Sequence, residues 1–152
     1  MAVYFFDSSA LFKRYATEIG TNWVLSIIDP AAGHDIYLAS ITGAEVVSAL
    51  VRQVPPLPPA DLARVLAEFK DDFHNHYQRV AINESLISNA MILAESYRLR
   101  GYDAVQLAAG TELNQLRRTA GLPPLTLVSA DHQLNSAAVK EGLVVEDPRS
   151  YP

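Results

Sequence analysis

Four acidic residues stand where an apolar run or a turn gives way to a helical pattern. A carboxylate at such a place either caps the helix, by accepting hydrogen bonds from free N–H groups, or takes part in a cation site. Taken singly, each acid fits the capping role. The segments Thr42–Glu45 and Asp103–Gln106 also fit the capping-box pattern and its Asp-led variant. The four acids are Asp7, Glu45, Asp103 and Asp131.

The elements around these acids predict that their side chains converge. Short apolar runs alternate with helical patterns, which indicates strand–helix–strand units and a parallel sheet. The carboxyl ends of parallel strands lie at one edge of the sheet, where ligands bind. Four carboxylates gathered there would repel one another unless protons or a cation neutralised them. An oxygen cluster without His or Cys suits Mg²⁺ or Mn²⁺.

The predicted elements describe one three-layer α/β domain over residues 1–152, with a central parallel sheet of four to five strands. The Pro-rich segment 54–59 predicts a hinge between two helices, because the pieces on either side are too small to fold alone. The predicted strands are residues 2–6, 36–40, 77–82, 125–130 and 143–146. The predicted helices are Leu11–Ile28 (as two short helices), Thr42–Val54, Ala60–Phe73, Glu84–Arg98, Asp103–Thr119 and His132–Glu141.

Composition narrows the class of protein. The chain has no cysteine, which excludes disulfides and Cys-ligated zinc and fits a reducing cytoplasm. No apolar stretch approaches the roughly 20 residues that span a bilayer, and the first apolar run breaks at Asp7, unlike a secretory signal. The net charge of −5 argues against a broad basic nucleic-acid surface. It is compatible with a nuclease, because acids that hold cations lower the net charge.

Four motifs in sequence order resemble those of PIN-domain proteins, and most closely those of VapC-type toxins of bacterial toxin–antitoxin pairs. They are FFDSSALFKRY, the Glu in SITGAEVVSAL, LRGYDAVQLA and LVSADHQLNSAAVKEGLVV. The resemblance covers nearly the whole chain. It implies a PIN-like fold and a Mg²⁺- or Mn²⁺-dependent endoribonuclease that is held inactive by a cognate antitoxin and is often dimeric. It also implies metal-binding and catalytic roles for Asp7, Glu45, Asp103 and Asp131, with Ser129 as a supporting hydroxyl.

The side chains around the acids suggest how RNA and a partner would bind. The helices Thr42–Val54 and Ala60–Phe73 are rich in Val, Leu and Ala, which favours an apolar groove for an antitoxin helix. Trp23 is expected in packing, and His74 and His76 are expected in a solvated loop. Cations that could meet a phosphate, or be ordinary surface charge, are Lys13, Arg14, Arg98 and Arg100.

Three other readings remain beside the ribonuclease. A non-catalytic RNA-binding or protein-binding module is the main alternative, although the complete set of acids argues against it. An aspartyl-phosphate hydrolase is disfavoured because Ser9 stands where that chemistry needs a second Asp. A nuclease for structured DNA is disfavoured because the chain is short and acidic, without a basic track.

Overall fold

Five parallel strands form one central sheet in the order β3-β2-β1-β4-β5. The structure is a computed structural model that describes residues 1–152. The strands are β1 Val3–Phe6, β2 Asp35–Ala39, β3 Gln78–Val80, β4 Thr126–Val128 and β5 Val144–Glu146. The helices are α1 Ser8–Leu11, α2 Thr21–Ile28, α3 Thr42–Val51, α4 Pro59–Asn75, α5 Glu84–Tyr97, α6 Gly101–Thr119 and α7 His132–Lys140. None of these helices combines the length and the apolarity that crossing a bilayer requires.

The two faces of the sheet carry separate apolar cores. Successive side chains of a strand point to opposite faces, so Phe5 and Leu127 enter the core under α5, α6 and α7. Phe6 and Val128 enter the other core, under α1 to α4. All four side chains are fully buried. The predicted α/β architecture with a parallel sheet is therefore confirmed, with five strands.

Several element boundaries differ from the predicted ones. The third strand begins at Gln78, because the N–H of Tyr77 still donates to the carbonyl of Asp72 in the last turn of α4. α6 begins at Gly101, so Asp103 lies within its first turn. At this position the helix dipole alone would favour a negative charge.

The two histidines are exposed to solvent as predicted, but the predicted loop is wrong for His74. His74 belongs to the last turn of α4, and His76 is the residue that ends this helix. The Nδ1 atom of His76 lies 2.9 Å from a carboxylate oxygen of Asp72 one turn earlier. This contact stabilises the final turn, so the helix runs beyond the predicted end at Phe73.

The chain that follows β5 packs against the loop before α2. This part of the chain, residues 147–151, is referred to below as the 147–151 segment. Gly20 has a left-handed φ of 91°, and a Cβ atom built there would lie 2.3 Å from the carbonyl oxygen of Pro148. The rings of Trp23 and Tyr151 stack with centroids 4.6 Å apart, which confirms a packing role for Trp23. These contacts fix the segment at the edge of the sheet.

The Gly20→Ala variant should be much less stable than Gly33→Ala. Both glycines have positive φ, so alanine costs about 1–2 kcal/mol of backbone strain at either position. Only Gly20 lies against another segment, since a Cβ at Gly33 would meet nothing within 4 Å. We expect about 1–3 kcal/mol of additional loss for Gly20→Ala from overpacking, measured by denaturant unfolding. Equal losses would show that the contact with Pro148 does not hold the 147–151 segment.

Candidate active site

Asp7 is the most buried of the four predicted acids, with 2% of its surface exposed. It follows β1, and its N–H donates to the carbonyl of Val128 in β4 at 3.0 Å. Its carboxylate accepts hydrogen bonds from three serine hydroxyls: Ser9 at 2.5 Å, Ser129 at 2.9 Å and Ser8 at 3.3 Å. Although Asp7 occupies the N-cap position of α1, its side chain accepts no capping hydrogen bond. The capping role is therefore excluded for this carboxylate.

Burial raises the pKa of the Asp7 carboxyl above its ordinary value, although the hydroxyls of Ser9, Ser129 and Ser8 lower it. The hydroxyls thus compensate only part of the cost of keeping a charge away from water. A bound proton or a cation would supply the rest. The environment of Asp7 fits a cation-binding carboxylate.

Glu45 joins Asp7 through a shared serine. The hydroxyl of Ser8 lies 2.9 Å from Glu45 Oε2 and 3.3 Å from Asp7 Oδ1. The predicted capping box is wrong, because Ile41 is the N-cap of α3 and the side chain of Glu45 caps nothing. Burial raises the pKa of Glu45 most, and the charge of Asp7 raises it further. Glu45 is thus part of the same charge cluster.

Gln106 holds Glu45 from the opposite side, and the sequence analysis did not identify this role. Its Nε2 atom donates to Glu45 Oε1 and to Thr42 Oγ1, both at 2.8 Å. The side chain is fully buried on α6. Asp103 precedes it by one turn, so a single helix supplies an acid and an amide that positions another acid. The i, i+3 spacing of Asp103 and Gln106 also fits a capping box, and in the structure Gln106 bonds Glu45 and Thr42 instead.

Asp103 lies within electrostatic reach of the other three acids. Its pKa is raised to about 6, first by burial and then by the charges of Asp131 and Asp7 and, more weakly, of Glu45. The guanidinium of Arg100 opposes this shift. A carboxyl with these neighbours holds its proton more tightly than an ordinary Asp, and a cation bound beside it would favour the charged form.

Asp131 does act as a helix cap, as the simpler reading predicted. Its Oδ1 accepts the N–H of Leu134 in α7 at 2.7 Å. Its own N–H donates at 3.0 Å to the hydroxyl of Ser129, which in turn donates to Asp7 at 2.9 Å. Ser129 is fully buried. The remaining oxygen, Oδ2, has no hydrogen-bond partner, so capping leaves it available.

The four acids and Ser129 thus meet at the carboxyl edge of the central strands. The oxygens of no three of these acids lie within 4.8 Å of one another. Beside them runs a groove of about 830 Å³. Its lining includes Ser8, Ser9, Lys13, Glu45, Arg52 and Tyr102.

Solved structures share the whole architecture of the chain. A chain of VapBC2 from Rickettsia felis, bound to a DNA fragment from its promoter, has a TM-score of 0.63 and 12% identity, covering 95% of this chain and 98% of that one. A chain of FitAB bound to a DNA fragment has a TM-score of 0.63 and 12% identity, and the match covers 96% of this chain and 95% of that one. A chain of a toxin–antitoxin complex from Klebsiella pneumoniae has a TM-score of 0.61 and 18% identity, and the match covers 97% of this chain and 98% of that one. No family model and no curated protein sequence matches the chain.

The chain has a PIN-like fold. The resemblance to PIN-domain proteins and VapC-type toxins is confirmed in the fold, over almost the full length of both chains. At these identities the likeness concerns the fold alone. The chemistry of the site has to be argued from its own side chains.

A second group that could hold a metal lies elsewhere in the PIN-like fold. Asp71, Asp72 and His76 bring ligand atoms within 4.8 Å of one another. They precede β3 and therefore lie at the amino edge of the sheet, opposite the acid cluster. Asp72 already accepts a hydrogen bond from the hydroxyl of Tyr15 at 2.6 Å and contacts His76 at 2.9 Å. A metal there would have to compete with both partners.

Two of the predicted phosphate-binding cations are held in ion pairs. Lys13 is 5% exposed, and its ammonium lies 2.8 Å from Glu18. Arg14 points toward α4, where its guanidinium lies 3.0 Å from Glu68. Arg100 remains beside the acids, since its charge lowers the pKa of Asp103.

The raised pKa of Asp103 predicts a pH dependence for the metal-free protein. The folded chain keeps the Asp103 proton up to about pH 6, whereas an ordinary Asp releases it near 3.8. The stabilisation from this proton is therefore present below 3.8 and is lost as the pH rises through about 6. In EDTA, the free energy of unfolding of Asp103→Asn should rise relative to that of wild type by about 1 kcal/mol over this pH window. This value is discounted because Asp103 is partly exposed.

The measurement is denaturant unfolding of wild type and Asp103→Asn in EDTA between about pH 4 and pH 8. Asp71→Asn, which neutralises an exposed Asp outside the cluster, is the control. Curves for wild type and Asp103→Asn that stay parallel over this range would contradict the crowding of charges around Asp103.

Proposed function

We propose that the chain is a Mg²⁺- or Mn²⁺-dependent endoribonuclease and the toxin of a type II toxin–antitoxin pair. The observation that carries this proposal is the buried Asp7 carboxylate, which serine hydroxyls compensate only in part and which lies at the same edge of the sheet as three other acids. Maintaining such a cluster for structure alone is costly. The PIN-like fold, shared with toxin–antitoxin structures, supports the same assignment.

The donor set fits a hard divalent cation. All the candidate ligands are carboxylate oxygens, and Mg²⁺ and Mn²⁺ prefer oxygen ligands. Asp7 and Asp103 would hold the cation directly, and Glu45 and Asp131 would hold it directly or through water. A bound cation would lower the pKa of the attacking water, neutralise the scissile phosphate and stabilise the leaving oxygen.

The side chains of the cluster have separate tasks in hydrolysis. Glu45 lines the groove and would accept the proton of the attacking water, and burial raises its pKa, which makes its carboxylate a stronger base. Gln106 and Ser8 fix the two oxygens of Glu45 for this transfer. Ser129 orients Asp7 and the backbone of Asp131, so its effect on the reaction is indirect.

The large groove is the proposed path of the RNA. It reaches the cluster at Glu45 and contains Arg52, which can meet a phosphate. Tyr102 also lines it and is 59% exposed, an unfavourable state for an aromatic side chain without a partner. Stacking on an unpaired base would cover this ring.

A smaller apolar groove, of about 360 Å³, lies between α3 and α4. Val47, Phe69 and Phe73 contribute to its lining, and Gly43 lets the ring of Phe73 approach α3 closely.

We propose that this smaller groove binds a helix of the antitoxin. We also propose that the chain forms a homodimer and that the protein acts in the cytoplasm. Co-expression with the product of the adjacent reading frame tests the partner. Failure to form a complex, together with normal growth when the chain is expressed alone, would remove the toxin assignment.

Asp7→Asn should lower metal-dependent RNA cleavage by at least about 100-fold, because it removes a proposed metal ligand. Ser129→Ala should lower it by about 10–100-fold, because it loosens the orientation of Asp7. The control Asp71→Asn makes the same Asp-to-Asn change in the second candidate metal group. It should cleave like wild type.

The assay measures cleavage of single-stranded RNA with Mn²⁺, with Mg²⁺ and with EDTA. Activity that persists in EDTA or in Asp7→Asn would contradict the metal-dependent site. RNA binding without cleavage in wild type would instead favour the non-catalytic module.

A further inference from the structure

The proposed function requires a positive side chain close to the acid cluster, because RNA phosphates are repelled by carboxylates. Lys13 does not meet this need because its side chain is buried against Glu18, and Arg14 does not because its guanidinium points toward Glu68 on α4. Arg52 in the groove and Arg100 beside Asp103 leave the β5 side of the cluster without a positive charge of their own. Arg149, which the sequence analysis did not select, lies at the same edge of the sheet as Asp7. The inference about Arg149 rests on the proposed function.

The sheet register brings the chain before Arg149 to the β5 side of the cluster. β5 runs parallel to β4, and the N–H of Ser129 donates to the carbonyl of Glu146 at 3.2 Å. The chain therefore leaves β5 next to Ser129, whose hydroxyl contacts Asp7. Arg149 follows three residues later, within the 147–151 segment.

Asp147 holds the guanidinium of Arg149 in one orientation. The Nε atom of Arg149 lies 3.0 Å from Asp147 Oδ1, and Nη2 lies 2.6 Å from Oδ2. Its Nη1 has no hydrogen-bond partner, and the side chain is 47% exposed. The hydrogen bond with Asp147 and, less strongly, the charge of Asp131 raise the pKa of Arg149. A guanidinium that is already oriented loses less entropy when it binds a phosphate.

Contacts from both sides keep the 147–151 segment in this place. Pro148 packs against Gly20, where there is no room for a side chain. Tyr151 stacks on Trp23, and its hydroxyl donates to Glu146 at 2.8 Å. The position of Arg149 is thereby set by packing on Gly20 and on Trp23 of α2.

We infer that Arg149 binds a phosphate of the RNA on the β5 side of the acid cluster. Glu45 follows β2 and Arg149 follows β5, and these strands lie on opposite sides of β1, which carries Asp7. A single strand thus enters along the groove at Glu45, crosses the carboxylates and is held by Arg149 beyond them. The free N–H groups of Nη1 are the donors to the phosphate.

Removal of the side chain should weaken RNA binding more than catalysis. Arg149→Ala should raise KM by about 10-fold, the loss expected for one charge-assisted hydrogen bond to a phosphate, with little change in kcat. Arg149→Lys keeps the positive charge but lacks the planar guanidinium. Its KM should lie between those of wild type and Arg149→Ala. The control is Arg64→Ala, because Arg64 is another exposed arginine near an Asp, on α4.

A binding assay makes the test independent of cleavage. Fluorescence anisotropy of a labelled single-stranded RNA is measured on Asp7→Asn protein with and without Arg149→Ala, over a range of salt concentrations. Loss of Arg149 should weaken binding by about 10-fold and lower the salt slope by about 0.7, the value for one phosphate contact to a single strand. Mn²⁺ affinity, measured on Arg149→Ala with Asp7 intact, should be retained or increased, because the change removes a positive charge near the acids.

The outcomes separate this inference from the proposed function. If wild type cleaves RNA and Arg149→Ala has the KM and RNA affinity of Arg64→Ala, the inference is wrong and the nuclease stands. If wild type does not cleave but its RNA affinity depends on Arg149, the phosphate contact is supported and the nuclease is wrong. Loss of both RNA and Mn²⁺ binding in Arg149→Ala would mean a structural role and would also overturn the inference.

Discussion

The rest of the site is organised around a carboxylate buried at the end of the central strand. Asp7 is almost inaccessible to water, and a buried charge is expensive unless hydrogen bonds or opposite charges compensate it. The hydroxyls of Ser8, Ser9 and Ser129 provide the hydrogen bonds. They come from two different strand ends, so compensation of this one charge ties β1 to β4. No basic side chain pairs with Asp7, which leaves the compensation incomplete.

The strand order determines which groups surround this charge. β1 is central, so β2 and β4 flank it and bring their following helices to its carboxyl end. β2 leads to Glu45, and β4 leads to Ser129 and Asp131. α6 packs on the opposite face of the sheet from α3 and contributes Asp103 and Gln106 at the same edge. The positive charge nearest to β5, on Arg149, enters from the outer edge of the sheet.

The sequence predicted the parallel sheet and the acids because both depend on local patterns. The continuously apolar run that ends at Asp7 indicates a buried strand wherever the rest of the chain goes. The Gln106–Glu45 bond was missed because its two residues are 61 positions apart in the sequence. The place of Arg149 was missed because it depends on the docking of the 147–151 segment. The stack between Trp23 and Tyr151 has the same origin. Periodicity carries no information about such distant packing.

The most direct test of the central claim is calorimetric titration of Mn²⁺ into wild type, Asp7→Asn and His76→Ala at about pH 6, in buffers of different ionisation enthalpy. Carboxylates must lose their protons to bind a metal, and Asp103 has a pKa raised to about 6. Wild type and His76→Ala should therefore bind Mn²⁺ with release of protons, and Asp7→Asn should bind far more weakly. If Asp7→Asn binds Mn²⁺ normally and His76→Ala does not, the metal belongs to the Asp71, Asp72 and His76 group and the claim is wrong.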